Sequence, residues 1–181
     1  MTIFLIRHAQ SQFNAVYQAD QPDPLLFDAR LSELGHQQGH LTRPSISSLP
    51  IDRIIVSPLT RTLQTATLLF GATRLFEINA QVREQVLNSC DVGRTPAELA
   101  REYPHLDFDH LPDHWWHKDV PDFRGIPVEP DHVLQDRADG FSNYLRDSGA
   151  KNTAIVTHGN FIHALTGIKP DNCQIIEFDP Y

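Results

Sequence analysis

Ile3 to Arg7 is a short continuous apolar run, and the same texture returns at Arg53 to Ser57, Arg74 to Ile78 and Thr153 to Thr157. Runs of this length, rich in β-branched residues and bounded by polar or turn residues, predict strands buried on both faces. Between them the period changes. Ser32 to Thr42 and Pro58 to Phe70 read as helices, the second with Pro58 in a first-turn position after Ser57. Pro130 to Asp147 is clearer still, because Leu134, Ala138, Phe141 and Leu145 recur at spacings of four, three and four, with Gly149 as a stop. Thr95-Pro96-Ala97-Glu98 has the form of a capping box and opens a short helix through Tyr103. Strands alternating with helices predict an α/β fold, a mostly parallel central sheet flanked by helices on both faces in a three-layer sandwich.

Residues 104–130 break the alternation. The segment is rich in His, Asp, Trp and Pro and has neither period. Phe108, Trp115, Trp116 and Phe123 argue for an ordered loop or cap on the substrate side, since disordered segments are poor in aromatics. With no internal repeat and no Gly/Ser linker, the 181 residues read as a single domain, 1–181.

Charge narrows the function. The formal net charge is −8, which gives a nucleic-acid or anionic-membrane surface no electrostatic basis, so any anion has to be bound locally. The apolar opening runs into Arg7-His8 too early for a signal-peptide core, and the expected location is cytoplasmic. Cys90 and Cys173 are the only cysteines, too few for a disulfide framework or a thiolate metal cluster, and read as reduced structural thiols.

The residues suited to chemistry gather at predicted strand ends: Arg7-His8 after the first, Ser57 and Arg61 after the second, Thr157-His158-Gly159 after a later one. Open α/β sheets bind ligands outside the carboxyl ends of their strands, where these segments would converge. Singly, each also reads as an ordinary polar residue at an edge.

Together they carry a resemblance. Arg7-His8-Ala9-Gln10-Ser11-Gln12-Phe13-Asn14 resembles the N-terminal signature of the histidine phosphatase superfamily, also called phosphoglycerate-mutase-like. Ser57-Pro58-Leu59-Thr60-Arg61-Thr62-Leu63-Gln64-Thr65-Ala66 resembles its second motif, and Leu31-Ser32-Glu33-Leu34-Gly35 with Gln37 the entry to its first long helix. Val82-Arg83-Glu84 is similar to the segment carrying its acid, Thr157-His158-Gly159 to its late His-Gly motif, and Glu129 with Arg137 fits the helix before that. Ala9, Gln10 and Thr157 depart from the commoner residues, and none of the three holds a charged catalytic role.

The resemblance implies a phosphatase working through a phosphohistidine on His8, with no cofactor and no metal. Arg7 and Arg61 would fork onto phosphate oxygens, and His158, if protonated, would add a third positive partner. Glu84 would act as general acid and then as base on water, with Asp91 as the rival acid; a surface pairing with Arg83 is its bland alternative. Ser11, Asn14 and Gly159 would contact substrate, although Ser11 and Asn14 also suit a helix N-cap. The implied partner is a small phosphorylated substrate or a phosphoprotein. A phosphoglycerate-type mutase and a non-catalytic phosphate-binding protein of the same fold are the alternatives. In the 104–130 segment, His110, His114 and His117 invite a zinc reading that Pro112 and the distant cysteines oppose. Lys118 and Arg124 there would meet a second anionic group, unless Asp113, Asp119 and Asp122 take them.

Overall fold

The computed structural model describes residues 2–148 and 152–181. Five strands, β1 (Ile3–Arg7), β2 (Arg53–Val56), β3 (Glu77–Ile78), β4 (Thr153–Thr157) and β5 (Ile175–Phe178), form one sheet in the order β3-β2-β4-β1-β5. The first four are parallel, and β5 runs antiparallel to β1 with Phe4 opposite Glu177. Helices α1 (Gln12–Val16), α2 (Glu33–Ser47), α3 (Thr60–Phe70), α4 (Pro96–Glu102), α5 (Asp131–Asp147) and α6 (Gly159–Thr166) complete the chain.

Alternation along the strands builds two cores. Ile6, Ile54, Val56 and Val156 pack with Ile46 of α2, Leu63 and Leu69 of α3 and Leu99 of α4. Ile3, Leu5, Ile55 and Ile155 face the other way, onto Leu134, Phe141 and Leu145 of α5 and Phe161 of α6. Strands β1, β2 and β4 therefore have both faces covered, as their uninterrupted apolar runs require.

Several boundaries differ from those read in the sequence. Pairing of β3 begins only at Glu77, because Leu75 points to solvent and Phe76 turns into the core, so Arg74 to Phe76 is not strand. Helix α2 continues past Thr42 and through Pro44 to Ser47, carried by burial of Ile46. Helix α3 starts two residues later than Pro58. Its cap comes from a remote loop, where the Asp28 carboxylate accepts the Thr60 N–H at 2.8 Å and the Thr60 hydroxyl. Pro130 is the N-cap of α5 rather than its first residue, and α4 ends at Glu102 with Tyr103 as its cap. The Gly149 stop lies outside the described residues. Strand β5 and helix α6 were not anticipated.

The 104–130 segment is held from within and contains no helix or strand. Phe108 and Trp115 are buried with α4, and Trp115 donates its indole N–H to the Arg94 carbonyl at 2.8 Å. Its ring covers Gly93, where a Cβ would fall 2.1 Å from the indole. Phe123, by contrast, is fully exposed.

The loop between β3 and the cleft is tied to α5 by a buried triad. Glu129 accepts Arg83 Nη2 at 2.8 Å and Arg137 Nη2 at 3.0 Å, while Arg137 Nη1 also donates to the carbonyls of Gln81 and Arg83. The Glu129 side chain has no solvent exposure. Its removal leaves two guanidiniums facing each other without an anion, and breaking such a buried set costs about 3–5 kcal/mol. Glu129→Ala should lower the unfolding free energy by that amount in urea denaturation. A loss under about 1 kcal/mol would show that the triad does not hold the loop.

Candidate active site

Parallel pairing of β1 with β4 sets Arg7 opposite Thr157, which brings the next residues, His8 and His158, side by side beyond the sheet edge. The His8 N–H donates to the Thr157 carbonyl at 2.9 Å, and the two imidazole centroids lie 5.1 Å apart. Strand β2 delivers Ser57 to the same end, and the first turn of α3 delivers Arg61. Arg7, His8, Arg61, Glu84, Ser11, Asn14 and Gly159 line one cleft of about 300 Å³. His158 sits directly behind it, wholly buried.

The tautomer of His8 follows from its neighbours. Nδ1 lies 2.7 Å from the Ala9 carbonyl, which can only accept, so Nδ1 carries the proton and Nε2 keeps its lone pair. Arg61 Nε donates to that Nε2 at 3.2 Å. Burial, then Arg61 and Arg7, hold the imidazole well below its usual pKa, and His8 is neutral. The Ala9 methyl that departs from the commoner glycine is buried against Leu31 and Cys173, and the Ala9 N–H donates to Thr65 Oγ1 at 3.0 Å.

Arg61 is almost entirely enclosed. Nη1 donates to the Cys90 carbonyl at 2.6 Å and Nη2 to Asp91 Oδ1 at 2.9 Å, so the charge that burial opposes is met by a carboxylate. Arg7 is committed at one end only. Its Nη1 donates to the Pro170 carbonyl at 2.7 Å, and its Nε is buried with no partner among the described residues.

His158 bonds Ser57 Oγ through Nε2 at 2.8 Å, and its Nδ1 has no partner among the described residues. Burial and then Arg61 hold it well below its usual pKa. The positive role read from the sequence is conditional on protonation, and in this structure the imidazole is neutral.

The two candidate acids part company in their surroundings. Asp91 is spent on structure, with Oδ1 on Arg61 and Oδ2 accepting the Leu87 and Asn88 N–H groups at 3.2 and 3.0 Å. Glu84 faces the cleft beside the N-terminus of α6 and accepts the Asn160 N–H at 3.2 Å. Burial, followed by the Asp91 charge, raises its pKa to about 7. Arg83 pairs with Glu129, so the surface Arg83–Glu84 alternative does not form.

Ser11 and Asn14 form the capping box of α1. Ser11 Oγ accepts the Asn14 N–H at 3.1 Å and Asn14 Oδ1 accepts the Ser11 N–H at 3.2 Å, while both side chains still border the cleft.

No residue of 104–130 lines this cleft. Arg124 pairs with Asp122 and Asp23, and Lys118 lies on the surface away from it. His110 meets the Ile78 carbonyl, His114 packs against Trp116 and His117 pairs with Asp119. Among the described residues no group of three or more His, Cys, Asp or Glu is arranged to hold a metal ion. No described helix is long and apolar enough to cross a membrane.

Other lining residues escaped the sequence reading: Tyr17, Asn88, Asn160 and Lys169. Asn160 had a signal, since Phe161 and Ile162 followed by Gly167, which caps α6 in a left-handed conformation, mark a helix starting after His158. Tyr17, Asn88 and Lys169 had none.

Residues 3–174 match the sequence profile of the histidine phosphatase superfamily, branch 1. The chain belongs to the histidine phosphatase superfamily. Phosphoglycerate mutase-like protein 1 of Arabidopsis thaliana is 27% identical over 93% of this chain and 72% of its own. A probable phosphoglycerate mutase, GpmB, of Yersinia enterocolitica is 31% identical over 56% of this chain and 59% of its own. Among solved structures, a mycobacterial glucosyl-3-phosphoglycerate phosphatase superposes with a TM-score of 0.65 at 21% identity, covering 97% of this chain and 90% of that one. A phosphoserine phosphatase from Entamoeba histolytica gives 0.64 at 19%, covering 98% and 90%. These two likenesses are likenesses of histidine phosphatase fold.

The Glu84 environment has a consequence for stability. Its folded pKa of about 7 stands above the unfolded value, so the folded chain holds this proton more tightly. As pH rises from about 4.5 to 7 the unfolded chain ionises first, and stability falls by up to roughly 3 kcal/mol through this group. Urea unfolding at pH 5 and pH 8 should therefore show a larger loss in the wild type than in Glu84→Gln. Parallel losses would mean that Glu84 does not titrate in that window.

Proposed function

We propose that this histidine phosphatase superfamily member hydrolyses phosphomonoesters through a phosphohistidine on His8. The observation that supports this most directly is the His8 ring itself, with its proton fixed on Nδ1 by the Ala9 carbonyl and its Nε2 lone pair turned to the Arg61 guanidinium. A neutral nitrogen is not repelled by a phosphate dianion, and a buried arginine beside it supplies charge before the reaction begins.

In the first step Nε2 gives up the hydrogen bond from Arg61 Nε and bonds to phosphorus as the P–O bond to the alcohol breaks, and the released Arg61 N–H turns to a phosphate oxygen. Arg7, Arg61 and the Gly159 end of α6 hold the equatorial oxygens, with Ser11 and Asn14 at the border of the site. A dianion close to His158 reverses the balance that keeps this imidazole neutral, and its unpartnered Nδ1 then becomes a donor on protonation. Glu84, with its raised pKa, gives its proton to the departing alkoxide. In the second step the Glu84 carboxylate takes a proton from water, and the resulting oxygen attacks phosphorus, releasing inorganic phosphate and freeing Nε2. Asp91 is unsuited to this exchange because both of its oxygens are engaged. The reading calls for no cofactor and no metal.

Phosphoryl transfer to a second hydroxyl, as the names of the mutase-like relatives suggest, is the alternative from the same site. Hydrolysis is favoured because no residue of 104–130, the longest irregular segment, closes over the cleft, so water has access to the phosphoenzyme. The substrate on this reading is a small phosphorylated compound, matching the cleft volume of about 300 Å³.

Brief incubation with a phosphomonoester should leave acid-labile phosphate on the protein, detectable by intact mass at alkaline pH. His8→Ala should lose both the label and turnover, and turnover surviving in His8→Ala would sink the mechanism. Glu84→Gln should slow an alkyl phosphate by about a hundredfold or more while affecting p-nitrophenyl phosphate much less, since nitrophenolate departs without a proton. Equal losses on the two esters in a well-folded Glu84→Gln would remove Glu84 as the acid.

A further inference from the structure

The charged side chains lining the cleft are Arg7, Arg61, Glu84, Asp91 and Lys169. Four are committed: Arg61 with Asp91, Arg7 to the Pro170 carbonyl, and Glu84 to the Asn160 N–H. Lys169 is different. It is exposed at the cleft and makes no ion pair or hydrogen bond among the described residues.

The backbone that carries it is fixed to the reacting residues. Beyond Lys169, Pro170 is buried and its carbonyl receives Arg7 Nη1, Asn172 Nδ2 donates to the His8 carbonyl at 2.9 Å, and the Cys173 N–H donates to the Arg7 carbonyl at 3.1 Å. Before it, α6 is capped by Gly167 in a left-handed conformation and the Ile168 N–H donates to Thr166 Oγ1. The root of Lys169 is thus held on both sides, while its exposed side chain lies at the rim. An uncommitted cation there stands out in a chain of net charge −8. Asp171, the nearest acidic residue in the sequence, forms no ion pair with it.

Taking the phosphomonoester reading as its basis, we propose that Lys169 is a specificity-determining residue that pairs with a second anionic group, a carboxylate or a second phosphate, on the alcohol portion of the substrate. In a cleft of about 300 Å³ a short alcohol places such a group at the rim once its phosphate reaches His8. A lysine ammonium is a point charge that tolerates varied geometry, so it selects for charge more than for shape. The role assigned in the sequence to Lys118 and Arg124 passes to Lys169, because neither of those side chains reaches the cleft.

Matched esters test this. 3-Phosphoglycerate is compared with glycerol 3-phosphate for the carboxylate, and propane-1,3-diol bisphosphate with 3-hydroxypropyl phosphate for the second phosphate. The wild type should favour the charged member of at least one pair in kcat/KM, and the pair showing the preference identifies the group. Lys169→Gln should cut that preference by about fivefold, the size of an exposed ion pair, Lys169→Glu should cut it further, and Lys169→Arg should keep it. The wild-type preference should also shrink as salt is added. Absence of preference in the wild type on both pairs, or a preference untouched in Lys169→Gln, overturns the proposal. Titration calorimetry of the same esters on wild type and Lys169→Gln separates the two levels. If no ester is hydrolysed, the hydrolytic reading fails, while a Lys169-dependent preference in binding still supports the pairing and its absence still rejects it.

Discussion

A buried guanidinium organises this protein. Arg61 has 2% of its surface exposed, and a charge so far from water is tolerable only if an anion stands beside it. That demand fixes the turn at residues 87–91, whose Cys90 carbonyl and Asp91 carboxylate take two of the donors. Asp91 then gathers the Leu87 and Asn88 N–H groups, so the wall of the cleft is shaped around the arginine. A third donor, Nε, points to His8, where burial and then this cation make protonation of the imidazole unfavourable.

The charge balance of the cleft follows. Asp91 cancels Arg61, both histidines are neutral, and burial and the Asp91 charge oppose ionisation of Glu84, which leaves Arg7 as the principal uncompensated charge near His8. A bound phosphate dianion would favour proton uptake at His158 and at Glu84 alike. On the hydrolytic reading, substrate binding thereby loads the proton that the leaving alcohol requires, and Glu84 is discharged only once the alcohol has formed. The Arg83–Glu129–Arg137 triad supports this at a distance, because Arg137 donates to the Glu84 carbonyl while holding Arg83 and Glu129 in place.

How much of this was legible in the sequence depends on range. Strands β1, β2 and β4 announced themselves because both of their faces are buried, and α5 because one stripe of it is. Strand β5 did not: at the antiparallel sheet edge, Ile176 is buried but Glu177 faces solvent, and four residues are too few to show a period. The start of α3 was misplaced for a similar reason. Its cap is Asp28, thirty-two positions away, and local patterns cannot report a partner supplied by a distant loop.

The site divides along the same line. Arg7, His8, Arg61 and His158 were visible because each follows directly from a strand end or the first turn after one, so local pattern and spatial convergence coincide. Glu84 stood ahead of Asp91 only through the family resemblance, since both are acids in irregular backbone and only tertiary contacts show that Asp91 is engaged by Arg61 and the Leu87 and Asn88 N–H groups. Lys169 marks the limit. Its position at the cleft depends on the Pro170 carbonyl meeting Arg7 across 163 residues of chain and on Asn172 meeting the His8 carbonyl. A surface lysine in a polar turn carries no signal of its own, so the part of a cleft that faces the variable portion of a substrate is the part a sequence conceals most.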